Sequence, residues 1–510
     1  MASRVLGLLR DMVFARYFGA GDTMDAFNVA FRIPNLVRDL FAEGAMSAAF
    51  IPTFTRYLTE RGRADAWRLG NLVITALVLA TGLVVIAGML GARPLTTLFA
   101  AQYAEVPGKL ELTTTLTRVM FPFLTLVAVA AACMGMLNAL RHFFIPALSP
   151  AMFNVGMIVC ALLVPWLPGW GLSPAIALAA GALLGGILQA VVQWPSLWRE
   201  GYRFRFQMAL NDPGLREILT LMVPGTLGLA AVQINQFVNT VLATGEGTGA
   251  VSWLNYAFRL MYLPIGVFGV SIATAALPTI SSHAAHGDTT AMRATLSSGL
   301  RLMFMLNVPA TVGLIALARP IVQVIFERGA FTSADTAATA AALMFYAPGL
   351  VGYSAVKLAT PTFYALRDSR TPVVVSVLSV LVNVGLNLTL VQVLGYRGLA
   401  LGTALSAVLN ATLLLVFLRR RLGGLDARRI LVALIKISVA SGIMAGAVVA
   451  TIYWLETNWS GGGLGLQLIR VSLAILVGLA ALALAARALR IAEFAEALRR
   501  LLFRFGRPAR

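Results

Sequence analysis

The chain has 510 residues, of which 59% are hydrophobic and only 12% charged, about half the charged share of a soluble globular protein. That excludes an ordinary water-soluble fold, because apolar runs of about 20 residues, the length a helix needs to cross a bilayer, recur from end to end. The formal charge of +19 would point to nucleic acid in a soluble protein; here it points to cytoplasmic loops and anionic membrane lipids, and no nucleic-acid partner is expected.

Taken in chain order, the apolar runs predict about fourteen transmembrane helices. They fall near residues 3–18, 25–57, 70–92, 112–140, 146–166, 172–194, 216–243, 250–280, 298–317, 337–365, 372–394, 398–419, 429–455 and 466–487. The expected fold class is therefore all-α polytopic membrane protein. The first run is short and interrupted by Arg4, Arg10, Asp11 and Arg16, and no cleavable signal peptide precedes it. The second is longer than a bilayer requires, so it must tilt, kink at Pro34 or extend beyond the membrane. Alternate loops hold about 25 cations against about 5 on the opposite side, which puts both termini in the cytoplasm. The tail 489–510 alternates apolar and basic residues and reads as an amphipathic helix on the inner leaflet.

The chain also repeats itself. Asn-x-Ala-Phe-Arg occurs at 28–32 and again at 255–259; Ala-Leu-Arg-x4-Pro starts at Ala139 and again at Ala365; Gly-Leu-x4-Ala-Leu starts at Gly171 and again at Gly398. The offsets are all 226 or 227. Six helices per copy give both halves the same orientation, as in transporters with parallel repeats about an axis along the membrane normal. The expected organisation is a six-helix bundle over 1–205, a second over 206–424, two additional helices over 425–488 and the basic tail 489–510.

Charges inside apolar segments are costly and mark function. In the second segment Asp25, Arg32, Asp39 and Glu43 share one face of an ideal helix, within roughly 40°, beside Asn28, Asn35 and Arg38. With Arg4 and Arg10 on the first helix and Arg259 on the eighth, they predict a central cavity rich in guanidinium groups, suited to a phosphorylated anion. The alternative for Arg32 and Arg259 is structural, bridging helices through Asp25, Asp39 or backbone carbonyls. Lys357 either meets substrate or pairs with a carbonyl freed by Pro361. Arg118 and Arg470 read as helix-end anchors. Catalytic and cofactor signals are poor: there is no phosphate-binding loop, His283 and His286 lack partners at metal-ligand spacing, and Cys133 and Cys160 read as small buried residues. A transporter is expected, neither an enzyme nor a metalloprotein, with no cofactor.

Specific phrases go further. Ser3-Arg4-Val-Leu-Gly7-x-x-Arg10-Asp11, Phe18-Gly-Ala-Gly21, Asp25-Ala-Phe, Arg32-Ile-Pro34-Asn35-Leu-x-Arg38, Phe41-Ala-Glu43-Gly44-Ala45, Val251-Ser252-Trp253, Arg259-Leu-Met and Phe363-Tyr364-Ala365-Leu366 resemble the MurJ (MviN) lipid II flippases. The resemblance runs through essentially the whole chain. It implies the fold of the multidrug/oligosaccharidyl-lipid/polysaccharide exporter superfamily and a place in the bacterial inner membrane. It further implies alternating access that carries lipid II, an undecaprenyl-pyrophosphate-linked disaccharide pentapeptide, to the outer leaflet. Within it, the substrate-binding arginines fall on Arg4, Arg10, Arg38 and Arg259, Asp25 and Asn35 line the cavity, and the two extra helices form a groove for the isoprenoid tail. Cell-wall synthesis or division proteins become candidate partners. Two departures stand out. Family members usually carry an apolar stretch before Ser3-Arg4, which suggests a shortened start; and helices seven and eleven offer Gln233, Asn235, Asn239, Asn383 and Asn387 where some members bind sodium through carboxylates. The competing readings are a multidrug or polysaccharide-repeat exporter of the same superfamily and a membrane lipid-phosphate enzyme.

Overall fold

The computed structural model describes residues 2–39, 45–171, 173–209, 211–459, 461 and 463–495; the expectations for Glu43 and for tail residues 496–510 lie outside them. It divides into two compact units, Met1–Ser252 with Arg328–Thr332, and Trp253–Glu327 with Ser333–Arg510. No strand occurs among the described residues.

The first unit holds α1 (Ala2–Phe18), α2 (Asp22–Arg38), α3 (Ala45–Glu60), α4 (Arg63–Leu90), α5 (Ala92–Ala100), α6 (Lys109–Met120), α7 (Phe123–Ala139), α8 (Phe144–Leu162), α9 (Ala175–Val191), α10 (Trp194–Arg199) and α11 (Pro213–Thr244). The next helix, α12 (Ala250–Pro264), begins in the first unit and continues in the second. The second unit adds α13 (Val270–Ala285), α14 (Thr289–Ala316), α15 (Ala318–Phe326), α16 (Ser333–Tyr346), α17 (Gly349–Ala365), α18 (Arg370–Leu394), α19 (Tyr396–Arg421), α20 (Ala427–Asn458) and α21 (Leu464–Ala488).

Among the described residues nine helices are long and apolar enough to cross a membrane, and the pair α16 and α17, bent by 45°, makes a tenth. The remaining predicted spans include those that carry the charges: α1 and α2 have 17 residues each and hold Arg4, Arg10, Asp11 and Arg16, and Asp25, Arg32 and Arg38, respectively. The predicted single run 25–57 is represented by two helices, α2 ending at Arg38 and α3 starting at Ala45. Pro34 is accommodated inside α2 and does not end it.

The repeat is visible in local structure. Helices α4 and α14 have 28 residues each and start at 63 and 289; α5 and α15 have 9 each and start at 92 and 318; α7 and α17 have 17 each and start at 123 and 349. Each pair is therefore displaced by 226 positions. The Ala-Leu-Arg phrase closes α7 and α17 in the same way. Arg141 and Arg367 adopt left-handed backbone, φ 65° and 57°, and the next residue's N–H reaches five residues back, His142 to Leu137 and Asp368 to Phe363. This cap satisfies carbonyls at the helix end and turns the chain sharply.

Lipid removes most of the hydrophobic driving force between helices, so close packing through small residues must hold them. At Gly156 of α8 an added Cβ would lie 2.5 Å from the Gly185 backbone of α9. At Gly352 of α17 it would lie 2.6 Å from the Ala407 backbone of α19. The apolar core of the first unit centres on Phe50, Phe54, Leu69, Met136 and Tyr202, and that of the second on Met303, Leu358, Phe363, Leu414 and Met444. The 328–332 segment attaches to the first unit at the end of α1, where Ala330 N–H donates to Arg16 O at 2.9 Å.

Candidate functional site

In the first unit the arginines of α1 and α2 fall into two kinds. Arg10 and Arg38 each pair with the residue that follows: Arg10 Nη2 to Asp11 Oδ1 at 2.7 Å and Arg38 Nη2 to Asp39 Oδ1 at 2.7 Å. Both pairs are fork-like, because Nε also donates to the same carboxylate oxygen at 3.0 and 3.1 Å. A neighbouring carboxylate fixes the orientation of the guanidinium. Arg10 also lies over the Phe14 ring at 5.7 Å. Arg4 is exposed and Arg32 half-buried. Asn35 is half-buried, and its Oδ1 accepts no hydrogen bond among the described residues.

Asp25 is fully buried, and protein donors surround its carboxylate. Oδ1 accepts from Ser252 N at 3.1 Å and Ser252 Oγ at 2.7 Å; Oδ2 accepts from Gly249 N at 2.7 Å and Lys109 Nζ at 3.1 Å. It therefore caps the first turn of α12 from outside that helix, satisfying N–H groups that have no intrahelical partner and placing negative charge at the positive end of the dipole. Asp25 and Ser252 are separated by the repeat offset, 227. Asn28 Nδ2 adds a bond to Ser252 Oγ at 3.1 Å.

Lys109 went unnoticed in the sequence as a site residue. Its side chain is 2% exposed, and Nζ meets Asp22 Oδ1 at 2.7 Å as well as Asp25. It also stands 4.2 Å from the Tyr103 ring centroid. Its signal was rarity: it is one of three lysines, and it opens a helix directly after a glycine with φ 77°. The ideal-helix face shared by Asp25, Arg32 and Asp39 is not realised as one charge stripe, because Asp25 turns to Lys109 and α12 while Asp39 takes Arg38 and Gln233.

In the second unit Arg259 and Lys357 are both exposed. Lys357 makes no hydrogen bond or ion pair among the described residues, so the predicted pairing with a carbonyl near Pro361 is absent there. Next to Arg259 on α12, Phe258 stacks on Tyr262 at 5.6 Å and meets Tyr353 edge-on at 6.3 Å. Asn387 Nδ2 donates to Asn383 Oδ1 at 3.2 Å, joining two buried neutral amides on α18. Arg118 donates to Met89 O at 3.2 Å, and Arg470 is half-buried on α21.

A family model described as "Lipid II flippase MurJ" matches residues 14–485. The chain belongs to the MurJ family. A probable lipid II flippase MurJ of Vibrio cholerae serotype O1 is 35% identical over 477 residues, covering 91% of this chain and 89% of that protein. The lipid II flippase MurJ of Burkholderia cenocepacia is 36% identical over 426 residues, 82% of each chain. Among solved structures, lipid II flippase MurJ in an inward closed conformation matches with a TM-score of 0.78 and 27% identity, covering 96% of this chain and 97% of that one. An inward-facing multidrug resistance MATE transporter of the MOP superfamily reaches a TM-score of 0.70 at 16% identity over 83% of this chain, a likeness of fold alone. MurJ membership makes this chain a polytopic membrane protein of a flippase family, with Arg4 and Arg10 upstream of the matched region and Asp25, Arg32, Asn35, Arg38, Arg259 and Lys357 inside it.

Proposed function

We propose that the protein is a lipid II flippase that moves the lipid-linked peptidoglycan precursor from the inner to the outer leaflet of the bacterial inner membrane by alternating access. The observation that carries this reading is the family match over residues 14–485. The exposed or half-buried arginines of α1, α2 and α12 supply the matching chemistry. In this reading Arg4, Arg10, Arg38 and Arg259 hold the pyrophosphate of the headgroup, with Arg32, Asn35 and Lys357 as further contacts. Asp11 and Asp39 aim Arg10 and Arg38 and temper their charge, which keeps the anion releasable. Asp25 contributes through position: its carboxylate holds the start of the helix that bears Arg259. Helices α20 and α21 accompany the polyprenyl tail in the lipid.

The rest of the proposal concerns topology and partners. Both termini are cytoplasmic, the repeats span 1–205 and 206–424, and cell-wall synthesis or division proteins are the expected neighbours. The protein is a carrier and not an enzyme. The test is the appearance of lipid II at the outer leaflet of cells depleted of their own flippase. Rescue by the parent, and none by Arg259→Ala at equal membrane level, supports the reading; failure of the parent to rescue overturns it.

A further inference from the structure

A second basic site lies in the second unit and shares no lining residue with those assigned to the carried headgroup. The first turns of α20, the segment that follows α21 and Arg301 of α14 line an open cleft of about 430 Å³, large enough for a small-molecule headgroup. Its lining carries five cations, Arg301, Arg428, Arg429, Lys436 and Arg490, against one carboxylate, Glu493. Arg301 pairs with Glu493, but its Nε is buried without a hydrogen-bond partner among the described residues. Lys436 donates one proton to Leu489 O at 2.9 Å and keeps two others.

Two features make this a built site. Arg490 is held in left-handed backbone, φ 53°, a conformation that non-glycine residues rarely adopt. It is locked there by the cap that closes α21, Ile491 N–H to Ala486 O at 2.9 Å. The second feature is the rim. Val432, between Arg429 and Lys436, lines the pocket and is 45% exposed, and Leu431 and Ile435 beside it are 57% and 55% exposed. Arg429 and Lys436 are two turns apart on one face, about 10 Å. Cations over that span beside an exposed apolar face suit a phosphate at the edge of the hydrocarbon.

We propose that this pocket binds the phosphate of an anionic lipid headgroup, whose acyl chains lie along the Leu431, Val432 and Ile435 face of α20. A free phosphate ion offers the same charge but nothing for the apolar rim. The site would neutralise the cation cluster and fasten the start of α20 to the end of α21, the helix pair that lies outside the repeat.

The test uses the full chain purified in neutral detergent, with Tm read against added phosphatidylglycerol, phosphatidylcholine of the same chains, or inorganic phosphate. Expected is a rise of at least about 2 °C with saturating phosphatidylglycerol, little with phosphatidylcholine, and loss of the rise in Arg428→Ala/Arg429→Ala/Arg490→Ala. Because Arg490 sits in the cap, Arg428→Gln/Arg429→Gln, at two exposed positions, gives an independent reading: the rise falls by at least half. An equal rise with inorganic phosphate keeps the phosphate site but overturns its lipid source. An undiminished rise in both variants overturns the site. None of these readings depends on transport, so the flippase reading stands or falls separately.

Discussion

The two copies of Asn-x-Ala-Phe-Arg sit in helices with different electrostatics: α2 carries two Asp and two Arg, α12 a single Arg. In α2 the phrase is framed by Asp22 and Asp25 at one end and the Arg38–Asp39 pair at the other. Helix α12, Ala250–Pro264, contains Arg259 and no carboxylate. The equivalent of Asp25 is Ser252, and the two bond to each other. One copy thus supplies the acceptor and the Lys109 donor, and the other the Gly249 and Ser252 donors, of a single buried junction. The difference teaches that the repeat preserved backbone, as in the caps at Arg141 and Arg367, while side chains diverged into complementary roles.

The comparison can be broken most severely at Asp25. Asp25→Ala leaves Lys109 with Asp22 as its one carboxylate partner among the described residues and orphans the Gly249 and Ser252 N–H groups, so we expect a loss of about 2–4 kcal/mol, read as a fall in Tm. The double variant Asp25→Ala/Lys109→Met should lose less than the sum of its single variants; strict additivity would show that the two side chains do not share one network.

Next come the paired arginines. Arg259→Ala, at an exposed position, should abolish outer-leaflet lipid II while shifting stability by no more than about 0.5 kcal/mol. Arg32→Ala, its half-buried counterpart, should cost more stability. Equal stability losses would erase the distinction between the two copies.

The caps test what the copies share. Arg141→Gly and Arg367→Gly relieve a left-handed residue but enlarge the entropy lost on folding. The expected net is at most about 0.5 kcal/mol of stabilisation, the same in both, by thermal unfolding. A gain in one copy alone would mean that the two corners carry different strain.

The smallest effect concerns pH. After the second corner Asp368 accepts from Thr371 N and Thr371 Oγ1, and these bonds hold its carboxyl below the usual value of 3.8. Its contribution is therefore present above about pH 4 and fades as pH falls through the depressed folded value. The Tm difference between parent and Asp368→Asn should shrink between pH 6 and pH 3. The first corner has His142 at this place, paired with Glu200 at 2.9 Å.

Read alone, the sequence determined the membrane class, the helical fold, the repeat offset and the family, because each is written in local spacing: apolar run length, recurring phrases and contiguous motifs. For the same reason it assigned Arg4, Arg10, Arg38 and Arg259 to helical segments, where α1, α2 and α12 hold them. Tertiary structure decided what those charges do. Asp25 looked like one member of a stripe on an ideal helix, yet its donors come from 84, 224 and 227 positions away, a pairing that helical periodicity does not encode. Lys109 escaped attention for the same reason, since its importance arises from burial against Asp22, Asp25 and Tyr103. The basic pocket at α20 and α21 joins Arg301 to Arg428 and Arg490, and only the packing of three helices makes neighbours of charges that the sequence scatters over nearly 200 residues.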